Sequence, residues 1–84
     1  METIKNNLQI LINKAQTFGL PSNDIQNAQQ YLEYNELELC LDILVQQLYE
    51  YEISVDSEFI KIAFQLQCSM KLSNDYTFLK ELEN

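Results

Sequence analysis

The sequence contains no histidine, no arginine and no tryptophan, and it has a single glycine and a single proline. Each absence closes a class of function. Imidazole is the side chain whose ordinary pKa lies nearest neutral pH, so its loss removes most acid–base triads. A Cys or Ser nucleophile would then depend on Lys or a carboxylate for activation. A phosphate cradle needs several glycines whose backbone can approach the anion, and Gly19 followed by Pro21 reads instead as a helix stop. No Asp-x-Asp-x-Asp-Gly loop is present, which argues against an EF-hand calcium site. Cys40 and Cys68 form no CxxC pair and have no histidine beside them, which argues against zinc or a redox motif. No apolar run reaches the roughly 18 residues of a membrane span. The start, METIKNNLQILINK, likewise lacks the unbroken apolar stretch of a signal peptide. These omissions lead to an expectation of a cytoplasmic protein that is no enzyme and uses no cofactor or metal.

What the chain does have is apolar content and negative charge. Its 84 residues are 46% hydrophobic, with five Tyr and four Phe, which is too rich for a disordered acidic tail. A chain of this length closes one core, so residues 1–84 are expected to form one domain. Thirteen Asp and Glu face five Lys, for a net charge of −8. Such a surface repels nucleic acid and anionic membrane and attracts basic partners.

Apolar residues recur at helical spacing throughout, and no strand-like alternation lasts long enough to compete. The expected fold is all-α, a compact antiparallel bundle of four main helices plus a short C-terminal helix. The first helix covers about residues 2–18, with Ile4, Leu8, Leu11, Ile12 and Ala15 on one face. The second follows Ser22 as N-cap, places Asp24 in its first turn, buries Ile25, Ala28 and Leu32, and ends near Asn35, which tolerates a left-handed backbone. The third, about residues 36–51, carries Leu37, Cys40, Leu41, Leu44 and Leu48. Ser54 or Asp56 caps the fourth, whose buried stripe is Phe59, Ile62, Ala63, Leu66 and Met70. The last begins after Ser73 or Asn74 and docks through Tyr76, Phe78, Leu79 and Leu82. Cys40 and Cys68 are expected as reduced core thiols, and if the third and fourth helices form a hairpin turning near Ser54 the two lie at about the same height and within reach of each other.

The charges are unevenly placed. Between Lys14 and Lys61 there is no base, yet Asp24, Glu33, Glu36, Glu38, Asp42, Glu50, Glu52, Asp56 and Glu58 all fall there. Ordinary surfaces intersperse the two signs, so a one-sign field of this size points to steering or recognition, although solvated surface accounts for some of these acids. Helical arithmetic puts Glu38, Asp42 and Tyr49 on one strip beside the apolar face of the third helix. Tyr31, Tyr34, Tyr49 and Tyr51 flank the segment, and Tyr is a common interface anchor. Tyr34 and Tyr49 look best placed for contact, whereas Tyr31 and Tyr51 fit packing as well as exposure.

The run NDIQNAQQYLEYNELELCLDILVQQLYEYEI, residues 23–53, resembles the MafI family of bacterial immunity proteins. LVQQLYEYEI, Leu44 to Ile53, is its most telling piece, preceded by the acidic turn at Tyr34, Asn35 and Glu36. The sequence departs from the family at Leu39 and Cys40, where smaller residues are expected, and at Ser54, where Pro often follows. The resemblance implies a protein of the bacterial cytoplasm that binds a cognate toxin C-terminal domain, often a nuclease, and it supplies no catalytic residues. On this reading Glu33, Glu36, Glu38, Asp42, Glu50 and Glu52 provide charge toward a basic toxin, and Tyr34 and Tyr49 provide anchors. The free protein is expected to be a monomer or weak dimer. A secretion chaperone or regulatory adaptor holding a basic client is the alternative, and an obligate homodimer is a third.

Overall fold

A computed structural model describes residues 2–84 as α1 (Glu2–Phe18), α2 (Ser22–Glu33), α3 (Leu37–Glu50), α4 (Ser57–Ser69) and a C-terminal 3-10 helix (Thr77–Leu82). The expected all-α bundle of four main helices plus a short last one is what forms. None of the described helices is long and apolar enough to cross a membrane.

The four α-helices end in the same way. Leu20 N–H donates to the Ala15 carbonyl at 3.0 Å and Gly19 N–H to that of Gln16 at 3.1 Å, the paired bonds of a Schellman cap. The pattern recurs as Glu36 to Tyr31 with Asn35 to Leu32, Ile53 to Leu48 with Glu52 to Tyr49, and Leu72 to Gln67 with Lys71 to Cys68. The pivot residue has positive φ each time: 107° at Gly19, 61° at Asn35, 53° at Glu52 and 56° at Lys71. Gly takes this region freely and Asn tolerates it, which made the first two stops readable in the sequence. Glu52 and Lys71 carry a cost of about 1 kcal/mol each that no local signal announces.

Helix starts follow less obvious chemistry. Asp56 caps α4, its Oδ1 accepting from Phe59 N–H at 2.8 Å. Lys14 on α1 reaches the same carboxylate at 2.8 Å and Glu58 at 3.0 Å, joining the two helices. At α2 the expected Ser22 cap is replaced. Pro21 precedes the helix, and its carbonyl accepts from Asp24 and Ile25 N–H, so Ser22 is already helical. Asp24, not Ile25, then turns inward; it is 5% exposed, and its Oδ1 accepts from the Gln47 side-chain amide of α3 at 3.2 Å. Asp24, Ala28 and Leu32 lie four residues apart along the buried face, which leaves Ile25 half-buried at the edge.

The core gathers Leu8, Leu11 and Ile12 of α1, Leu41, Leu44 and Leu48 of α3, and Phe59 of α4. α1 packs on α2, α3 and α4, while α3 packs on α1, α2 and the 3-10 helix. The expected α3–α4 hairpin contact is therefore not the organising one: α4 packs on α1. That choice turns Ile60 inward with Phe59, Ala63 and Leu66, leaving Ile62 and Met70 half-buried. The cysteines have different surroundings. Cys40 is wholly buried and desolvation pushes its thiol up to about 12, whereas Cys68 is exposed instead of a core thiol.

The segment after α4 docks through Tyr76, Leu79 and Leu82, with Phe78 only half-buried. Its end is tied to the α3–α4 connection: Val55 N–H donates to the Leu82 carbonyl at 2.9 Å, and Asn84 N–H to that of Val55 at 3.0 Å. A polar relay fixes its start. The Gln67 side-chain amide donates to the Asn74 carbonyl, and the Asn74 side-chain amide to the Tyr76 hydroxyl at 3.1 Å.

Candidate protein-binding surface

The candidate residues fall into two groups at the ends of α3, which a rise of about 1.5 Å per residue sets roughly 20 Å apart. Glu33 ends α2, Tyr34 and Glu36 form the turn, and Glu38 opens α3; all four are exposed. Tyr34 is 76% exposed, the most of any large apolar side chain among the described residues. At the other end Tyr49 and Glu50 close α3 and Glu52 follows it, also exposed. Asp42 lies between the groups and is half-buried.

The C-terminal segment changes what two of these residues can offer. The Tyr76 hydroxyl donates to Asp42 at 3.4 Å. Burial is the main influence raising the Tyr76 phenol pKa, and the nearby Asp42 charge adds to it. Tyr49 stacks edge-to-face on Phe78 with ring centroids 4.8 Å apart, and its hydroxyl donates to Glu81 at 3.4 Å. Asp42 and Tyr49 therefore each have an internal partner, and Tyr49 keeps about 40% of its surface. Tyr31 is half-buried and Tyr51 exposed.

Glu81 is a residue that sequence reasoning missed. With Tyr49, Glu50, Glu52 and Leu82 it lines a notch of about 440 Å³ between the end of α3 and the 3-10 helix. No pattern in the sequence joins position 81 to position 50; only the docking of the last helix does. Leu39 was also missed as a contact residue. It is 47% exposed on α3, and helical arithmetic alone puts it opposite Leu37, Leu41 and Leu44.

Charge is balanced in one place and not in another. Among the described residues the ion pairs are Lys14 with Asp56 and with Glu58. Hydrogen bonding to Lys14 is the main cause that holds the Asp56 carboxyl below its ordinary range, and bonding to Asp56 raises Lys14. No lysine makes an ion pair with Glu33, Glu36, Glu38, Glu50 or Glu52. Exposed apolar area follows the same split. Of the five large apolar side chains that are exposed among the described residues, Tyr34, Leu39, Tyr49 and Tyr51 belong to this region and Ile10 lies elsewhere. Carboxylates and phenol oxygens here ask for hydrogen-bond donors, and the apolar groups among them ask for desolvation.

Among the described residues no group of three or more His, Cys, Asp or Glu is placed to hold a metal ion. No protein-family model, curated protein or solved structure matches the chain.

Proposed function

We propose that the protein is an immunity protein of the bacterial cytoplasm that binds and neutralises the C-terminal domain of a cognate toxin, a basic nuclease, with ribonuclease the favoured activity. The observation that carries this reading is the surface from Glu33 to Glu52. Its exposed carboxylates have no lysine of the chain paired with them, and exposed Tyr and Leu side chains lie among them. Nuclease domains present basic surfaces to the phosphates of their substrates, and an acidic helical face can occupy such a surface in place of nucleic acid. Complementary charge speeds encounter, which suits an inhibitor that must act before damage is done. Affinity then rests on the desolvated apolar centre, because exposed ion pairs contribute only about 0–1 kcal/mol each. The resemblance of residues 23–53 to the MafI family supports the same reading.

The test is co-expression with the C-terminal domain of the product of the reading frame directly upstream, where the proposal expects the toxin to be encoded. Restored growth with a stable co-purifying complex is expected. Toxicity without rescue or binding would overturn the proposal, and a harmless domain that still co-purifies would favour a chaperone or adaptor.

A further inference from the structure

The elements that pack on α3 come from one side and leave a line of side chains on the other. Leu39, Ile43, Gln46 and Glu50 recur at intervals of four, three and four residues and so share the outer face over roughly 16 Å. Leu39, Gln46 and Glu50 are exposed and Ile43 is half-buried against the core. Tyr34 stands in the turn just before this line, Glu36 and Glu38 at its start, and Glu50 at its end.

We propose that this outer line, with Leu39 and Tyr34 as its apolar centre, is the partner-docking surface. Its occupant is a folded protein surface with an apolar patch ringed by Lys and Arg. The identity of that partner as a toxin rests on the function proposed above; the choice of surface does not. Charge complementarity selects the occupant. A second copy paired symmetrically across the line would set Glu36, Glu38 and Glu50 against the same acids, and like charges facing each other oppose association. Nucleic acid and anionic lipid are repelled for the same reason. A basic rim meets the carboxylates, while an apolar centre covers the leucine and tyrosine that water now wets. An ordinary interface takes about 800 Å² from each partner. That is about a sixth of the 4995 Å² of accessible surface, so contact extends from α3 onto the α2–α3 turn. The notch at Glu50, Glu52 and Glu81 is peripheral in this arrangement, and Tyr49, already stacked on Phe78, adds little.

Methyl-labelled protein titrated with a synthetic amphipathic helix of Leu and Lys, and separately with an oligolysine of equal charge, tests the surface without any toxin. The Leu39 and Ile43 methyls should shift with the Leu/Lys helix and not with oligolysine, and Leu39→Ser should weaken that binding by about tenfold. Leu39→Ser combined with Tyr34→Ala should also speed dissociation of the proposed toxin domain, once co-expression has identified it, by at least about tenfold, whereas Tyr49→Phe should change it less than about twofold. Melting of each variant at the wild-type temperature confirms that the fold is kept. Shifts confined to the notch, equal shifts with both peptides, or self-association lost on Leu39→Ser would overturn the proposal. Peptide binding on α3 without protection against the upstream domain would sink the toxin reading alone. Protection and toxin dissociation unaffected by Leu39→Ser and Tyr34→Ala would sink this one alone.

Discussion

The outer faces of α3 and α4 meet the same problem with different means. Around α4 two lysines are matched from within the chain: Lys80 lies over the Phe64 ring, 5.8 Å from its centroid, and Lys14 joins the capping Asp56 to Glu58. On α3 Leu39 and the flanking glutamates have no such answer. A chain with five lysines can balance few of its thirteen acids, and among the described residues none of the ion pairs lies along the α2–α3 edge. The proposed docking on α3 rests on that difference.

The largest effect should come from contrasting the two sides of α3 itself. Leu41 is wholly buried and Leu39 about half exposed. Leu41→Ala should cost about 2–5 kcal/mol in a urea melt, and Leu39→Ser no more than about 0.5. Equal losses would mean that the outer line is structural.

On the balanced side, Asp56→Asn should destabilise by about 1 kcal/mol at neutral pH: Asn keeps the cap bond, but the negative charge at the helix N-terminus and the partner for Lys14 are lost. Sign and window follow from the pKa directions. The folded Asp56 pKa lies below its ordinary value of 3.8, so its contribution is present above that value and fades as pH falls through the folded value. Lys14 is raised above 10.5, so its share is lost only as pH rises beyond that. Wild type and variant should therefore differ most between the ordinary values of 3.8 and 10.5 and converge in melts as pH falls through the folded Asp56 value.

Such contrasts also show what the sequence could and could not disclose. Gly19, Pro21 and Asn35 carry their backbone preferences openly, so the ends of α1 and α2 were legible, as was the buried face of α3. The inward turn of Asp24 was not, because it depends on Gln47 arriving from another helix. The expected stripe includes Ile62 and omits Ile60 because spacing alone does not say that α4 packs on α1. At the surface, the unbalanced run of acids was plain in the sequence. The covering of Asp42 and Tyr49 by the last helix, and the addition of Glu81, depended on tertiary docking. Leu39 was within reach of helical arithmetic but stood out only as a departure from a family pattern.

Smaller effects sharpen the comparison further. Lys71 holds a left-handed backbone on the α4 side, so Lys71→Gly should stabilise by about 0.5–1 kcal/mol in thermal melts, with no effect on partner binding. Glu52 is held the same way at the end of α3, and Glu52→Gly should stabilise similarly while removing one acid of the notch. The cysteines report the two sides without affecting stability. A thiol reagent at pH 8 should titrate Cys68 promptly and Cys40 only after unfolding, since Cys40 is buried with its thiol pushed up to about 12.

The most direct measurement is the association rate with the proposed partner, the basic domain sought in the upstream reading frame, at low and high ionic strength, for wild type and for Glu36→Lys, Glu38→Lys and Glu50→Lys combined. The acidic-face account predicts fast, salt-sensitive association for wild type and a rate about tenfold or more lower, with a flatter salt dependence, for the variant. An unchanged rate with an unchanged salt slope would contradict it.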